Sequence, residues 1–180
     1  MNVFEAQREV RSIYIGGFFG QMVSGIIWLA SAALMTWVSW RAGVLALVVG
    51  GMFIYPLTQL LLRASGRPAS LSPGNPLREL AMEIAFLVPL LLPLVGAAAL
   101  YRREWFYPAM MMVVGAHYLP FSFLYGMRHF IVLSVLLMAP GLLVGLYAPQ
   151  AGVWGGWLTS ILLFAFAFIG RAAVLRPSSR

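Results

Sequence analysis

Cysteine, aspartate and lysine are missing from the 180 residues, so all twelve basic side chains are Arg and all five acidic ones are Glu. Without Cys there are no disulfides, no thiol chemistry and no thiolate metal sites. Charge of either sign is scarce, at 9% of residues against roughly a quarter in globular domains. The arginines occur as singles and one pair, with no run that could track phosphates, so the net charge of +7 does not point to nucleic acid. With two His and no phosphate-binding glycine loop, nucleophile elbow or paired-histidine motif, neither haem nor zinc nor any other cofactor or metal is expected.

What is present is apolar, at 62% of the chain. A hydrocarbon core of about 30 Å takes about 20 helical residues to cross, and six such spans with short connections account for nearly the whole length. The expected fold is an all-α polytopic integral membrane protein, a single membrane domain over residues 1–180. Its six transmembrane helices run over about Ser12–Trp40, Ala42–Leu62, Leu77–Tyr101, Trp105–Tyr125, His129–Ala148 and Ala151–Gly170. Ahead of them, Asn2 and Glu5 stand at capping-box spacing and predict a short polar helix. Ala30-Ser31-Ala32 mimics a signal-peptidase site, but the apolar run continues through Ala33, Leu34 and Met35, so the first span is expected to be retained. The one substantial loop, residues 63–76, is rich in Pro, Ser and Gly and ends in Asn75-Pro76, a capping residue followed by a residue suited to the first helical turn.

Orientation follows from the arginines, because basic loops stay in the cytoplasm. With the N-terminus inside, Arg8, Arg11, Arg63, Arg67, Arg78, Arg128, Arg171, Arg176 and Arg180 are cytoplasmic, against Arg41, Arg102 and Arg103 outside. Trp37, Trp40, Trp105, Trp154 and Trp157 all fall at the outer ends, where amphipathic rings anchor. Both termini are therefore expected in the cytoplasm and the loop 63–76 with them.

Small residues mark helix packing in lipid. Gly16, Gly20 and Ser24, then Gly141 and Gly145, then Gly152, Gly156 and Ser160 recur at four-residue spacing, as seams either within one chain or toward a second copy or another membrane partner. VVGGMFIYP in the second span echoes VVGAHYLP in the fourth, and PLVG in the third echoes PGLLVG in the fifth, a faint sign of a parallel hairpin repeat.

Polar groups inside spans are costly and are candidate functional residues. They are Gln21, Tyr55, Gln59, Glu83, His117 and Tyr118, all on the cytoplasmic half. Glu83 and His117 lie at similar depth on consecutive spans, where a carboxylate and an imidazole can share a proton. Pro89, Pro93, Pro120 and Pro140 are expected to interrupt their helices near this level and free carbonyls toward a cavity. The plainer alternatives stand beside this: Glu83 as an ion pair with Arg63, Arg67 or Arg128, His117 and the glutamines as packing partners, and His129 at the headgroup level. The leading functional expectation is a permease or channel-like path for a small solute or ion, opening through a polar cytoplasmic-side cavity. The alternative is a non-catalytic accessory or sensory protein that packs against partner helices. An enzyme acting on a lipid, with His117 as base, would have only Ser122 or Tyr118 near it as nucleophile.

The segments VSGIIWL (Val23–Leu29), GGMFIYPL (Gly50–Leu57), NPLRELAMEIAF (Asn75–Phe86) and WFYPAMMMVVGAHYLPFSFLYGMR (Trp105–Arg128) resemble an uncharacterised family of small bacterial membrane proteins grouped as a domain of unknown function. The resemblance is most specific around GAHYLPFSFLYGMR. It implies a bacterial plasma-membrane setting and transfers no activity, cofactor or site.

Overall fold

A computed structural model describes residues 1–176, so the orientation residue Arg180 lies outside the described part. Every regular element among the described residues is helical. The chain opens with α1 (Val3–Tyr14), started by the predicted capping box: the Asn2 side chain accepts from the Glu5 N–H at 3.0 Å and the Glu5 carboxylate accepts from the Asn2 N–H at 2.9 Å. Its buried residues Ala6, Gln7, Val10 and Ile13 recur at three- and four-residue steps, one face of a helix.

Three left-handed residues then stop it, Ile15 (φ 51°), Gly16 (φ 62°) and Gly17 (φ 86°). Helical geometry cannot pass through positive φ, so the first long apolar helix, α2 (Phe18–Trp37), begins at Phe18 rather than near Ser12 as the apolar run suggested. Ser39 caps α3 (Trp40–Ala64) by accepting from the Ala42 N–H at 3.1 Å. The loop leads to α4 (Arg78–Tyr101), then a 3₁₀ turn and α5 (Phe106–Tyr118). A single turn, α6 (Phe121–Leu124), precedes α7 (His129–Tyr147), and α8 (Val153–Leu175) follows a second short 3₁₀ turn.

Five helical stretches are long and apolar enough to cross a membrane: Val3–Trp37, whose spanning part is α2, then α3, α4, α7 and α8. The expected fourth span, Trp105–Tyr125, is instead divided. Pro120 lacks the N–H and its ring crowds the preceding turn, so α5 closes at Tyr118, and its 13 residues rise only about 20 Å. The other prolines do not interrupt their helices. Pro56 sits inside α3, Pro89 and Pro93 inside α4 and Pro140 inside α7. Pro89 and Pro93 are both exposed.

Packing runs α3 on α2, α2 on α8, α8 on α7, α7 on α5 and α5 on α4. Consecutive α3 and α4 do not pack on one another, whereas α5 and α7 pack closely, so the two hairpins suggested by the sequence echo differ in geometry. Trp28 and Tyr107 fill the centre with ring centroids 5.8 Å apart. The Ser31 hydroxyl donates to the Gly43 carbonyl at 2.7 Å, which leaves Tyr107 Oη, also 2.7 Å away, to donate to Ser31 Oγ. Ser160 donates to the Gly25 carbonyl at 2.9 Å. These bonds tie α3, α5 and α8 to α2 through groups that would otherwise stand unpaired in an apolar interior.

The glycine seams are used within the chain. Gly141 and Gly145 lie against Pro108, Gly156 against Tyr107 and Ala32, Gly152 against the Glu104 backbone and Gly20 against Thr58. Gly16 and Gly170 meet backbone to backbone, and an added Cβ on either would stand 2.6 or 2.5 Å from the other's carbonyl oxygen. Gly170→Ala should therefore lower stability by about 1–3 kcal/mol. Gly96→Ala, with nothing within 4 Å, should be neutral or gain up to about 1 kcal/mol of helix propensity. Thermal unfolding of the two purified variants in detergent measures the contrast.

Candidate functional site

The polar residues singled out from the sequence do not gather in one place. Gln21, on α2, is 2% exposed, and neither atom of its amide has a hydrogen-bond partner. Tyr55, on α3, is 59% exposed. Gln59, one turn further, is half-buried and faces the Tyr14 hydroxyl of α1. Tyr118 is buried, and the adjoining His117 ring lies 5.6 Å from it and 4.9 Å from Phe121.

Glu83 and His117 point apart. The imidazole lies beside the backbone of Ile84 on α4. A helix rotates about 100° per residue, so if Ile84 faces α5, Glu83 is turned outward, and it is exposed. There it lines an open groove of about 690 Å³ with Pro73, Pro76, Glu79 and Met82, whereas Tyr55 and His117 do not line it. No ion pair joins Glu83 to an arginine among the described residues, so the arrangement supports neither a shared proton nor the structural salt bridge. His129 also departs from expectation. It is half-buried on Phe130, with centroids 4.3 Å apart, and its Nε2 is buried without a partner, because α7 begins beneath α8 rather than at a solvated edge. Among the described residues no three His or Glu side chains come together as metal ligands do.

Two clusters were not anticipated. The first is an aromatic cluster centred on Phe130, whose ring lies 5.0 Å from Tyr125, 5.5 Å from Phe121 and, stacked, 6.1 Å from Tyr118. Its sequence signal was the density of rings from His117 to Phe130, spread over two helices and a turn.

The second is the dock of α1. Glu9 accepts from the Ser72 N–H at 2.7 Å, the Ser72 hydroxyl at 3.0 Å and the Asn75 amide at 2.9 Å. Asn75 does not cap α4 directly. Its side-chain oxygen accepts from the Leu77 N–H at 2.8 Å, two residues on, while its amide turns to α1, where it also reaches the Ala6 carbonyl at 3.3 Å. On the other side of α1, Gln7 donates to the Phe123 carbonyl at 2.5 Å and Arg11 to the Tyr125 carbonyl at 2.6 Å. Arg67 donates to the Ser12 carbonyl at 2.9 Å. The helix is thus held between the long loop and the turn after α6. The Ser72 backbone N–H, more than the burial that opposes it, holds the Glu9 carboxyl below its ordinary range, with Asn75 and the Ser72 hydroxyl assisting.

The class these features define is an all-helical protein with five helices long and apolar enough to cross a membrane, compatible with a multi-pass membrane protein. The chain belongs to the Family of unknown function (DUF7010), whose model matches residues 3–173. No curated protein and no solved structure matches it.

Because the Glu9 carboxyl is held low in the folded state, its contribution is complete above the ordinary carboxylate range and is lost as pH falls through the folded value. Amide hydrogen-exchange protection across Ala6–Ile13, corrected for the intrinsic rate at each pH, should fall selectively below about pH 4. Glu9→Gln should show reduced protection already at pH 7, with little further change in protection on acidification.

Proposed function

We propose that this is a non-catalytic accessory or sensory protein of the bacterial plasma membrane, acting by packing the outer faces of α3 and α4 against partner helices. The observation that carries this reading is Tyr55, 59% exposed although it lies about 13 Å from the end of α3. A phenol exposed at that depth suits a neighbouring helix that gives its hydroxyl a hydrogen-bond partner. The apolar stretches of α3 and α4 are also the least covered of the five, with 6% and 17% of residues buried against 28–39% in the others. A transport path needs converging polar groups, and the groove that Glu83 lines is lined by neither Tyr55 nor His117.

In the proposed arrangement α5 and α6 together make a sixth span and both termini face the cytoplasm. The grouping of Trp37 with Trp157 and of Trp40 with Phe106 supports an aromatic outer face. A permease remains the second reading on one observation, the buried and unpartnered Gln21 amide. Photoreactive side chains placed at Met52 of α3 and Leu90 of α4, 75% and 71% exposed, should form protein adducts in native membranes. The same group at Ile161 of α8, 63% exposed, should label lipid only. Lipid labelling alone at Met52 and Leu90 overturns the proposal, and solute uptake by proteoliposomes that Gln21→Leu abolishes would establish the permease instead.

A further inference from the structure

A second cavity, of about 260 Å³, lies where three separated segments meet. The break between α1 and α2 supplies Ile15, Phe18 and Phe19, the turn after α3 supplies Ser65 and Arg67, and the last turns of α8 supply Arg171 and Leu175. The contact of Gly16 with Gly170 sets this meeting, since it delivers the next residue, Arg171, to the side of Phe18, with its guanidinium carbon 4.9 Å from the ring centroid. Arg67 is anchored from the other side by its bond to the Ser12 carbonyl, which occupies one guanidinium nitrogen and leaves further N–H groups. Neither arginine forms an ion pair with a carboxylate among the described residues.

We propose that this cavity binds the phosphate of an anionic glycerophospholipid, with Arg67 and Arg171 as the phosphate donors and the ring and alkyl surfaces of Phe18, Phe19 and Leu175 receiving the start of an acyl chain. Two guanidinium groups without a carboxylate match a phosphate in charge and in fork geometry. A free soluble anion would need only the charged half. The apolar half, continuous with the sides of α2 and α8, suits a ligand that is itself amphiphilic, and basic pockets between apolar helices at headgroup depth are a recurring form of lipid recognition. The volume is below the about 300–1,000 Å³ of pockets that enclose a whole small molecule. It therefore takes a headgroup fragment whose tails continue along the helices.

The test uses the purified full chain in neutral detergent, titrated with phosphatidylglycerol, phosphatidylcholine or inorganic phosphate and read by native mass spectrometry. Phosphatidylglycerol should bind at least about tenfold more tightly than phosphatidylcholine. The Arg67→Ala/Arg171→Ala pair should abolish that preference, while Arg63→Ala/Arg176→Ala should keep it within about twofold. Equal binding of both lipids, or an unchanged preference in the Arg67/Arg171 pair, overturns the proposal, and inorganic phosphate binding as tightly as the lipid identifies a soluble anion site instead. Should the double variant fail to fold, phosphatidylglycerol with a photoreactive acyl chain applied to the unaltered protein decides the matter. Adducts on Ile15–Phe19 or Leu175 support the site, and adducts confined to other segments overturn it.

Discussion

Gly16 and Gly170 meet backbone to backbone at the end of the helical assembly that carries α1, and the arrangement of that end depends on their contact. Gly16 lies within the left-handed run that ends α1, so the place where the chain turns is also a place where α8 meets it backbone to backbone. A side chain at either position would separate the two backbones. With the contact made, α1 leaves the line of α2, and its Glu9, Gln7 and Arg11 meet the loop and the turn after α6. The same contact places Arg171 over Phe18.

The dock of α1 is polar where the rest of the molecule is apolar, and this sets its mechanics. Helix contacts in the apolar region rest on close packing through Gly141, Gly145 and Gly156, supplemented by a few hydroxyl-to-carbonyl bonds such as that of Ser31. The dock rests on a carboxylate with three donors and on side chains that reach free carbonyls at Phe123 and Tyr125. Of these bonds, those to the Glu9 carboxylate respond to protonation. Within the dock the Glu9 carboxylate is the group whose bonds depend on its charge, and it ties α1 to the long loop.

Much of this was legible from local pattern. Asn2 and Glu5 formed their capping box because both partners lie within one turn. The long apolar helices followed from composition, since nothing but a helix satisfies its own backbone in a chain so poor in polar groups. Spacing on a helix identified Gly16, Gly141 and Gly156 as contact points but not their partners. The pairing of Glu83 with His117 failed for a reason that depth alone does not contain. Depth gives the level of a residue along its axis, while a one-residue difference turns the side chain by about 100°, so Ile84 meets His117 and Glu83 faces away. The division of the expected fourth span at Pro120, while Pro56, Pro89, Pro93 and Pro140 leave their helices intact, also lay beyond local pattern, since the chemistry at all five is the same.

The sequence by itself determined the class, a chain of long apolar helices, because the burial of apolar side chains and the internal pairing of helix backbones are local properties. Tertiary structure alone decided which residues act together. Glu9 with Ser72 and Asn75, Arg67 with Arg171 and Gly16 with Gly170 are all distant in the chain and carry no shared motif. Their meeting depends on the rotation and crossing of whole helices, which is fixed by the sum of packing contacts and not by any single stretch of sequence.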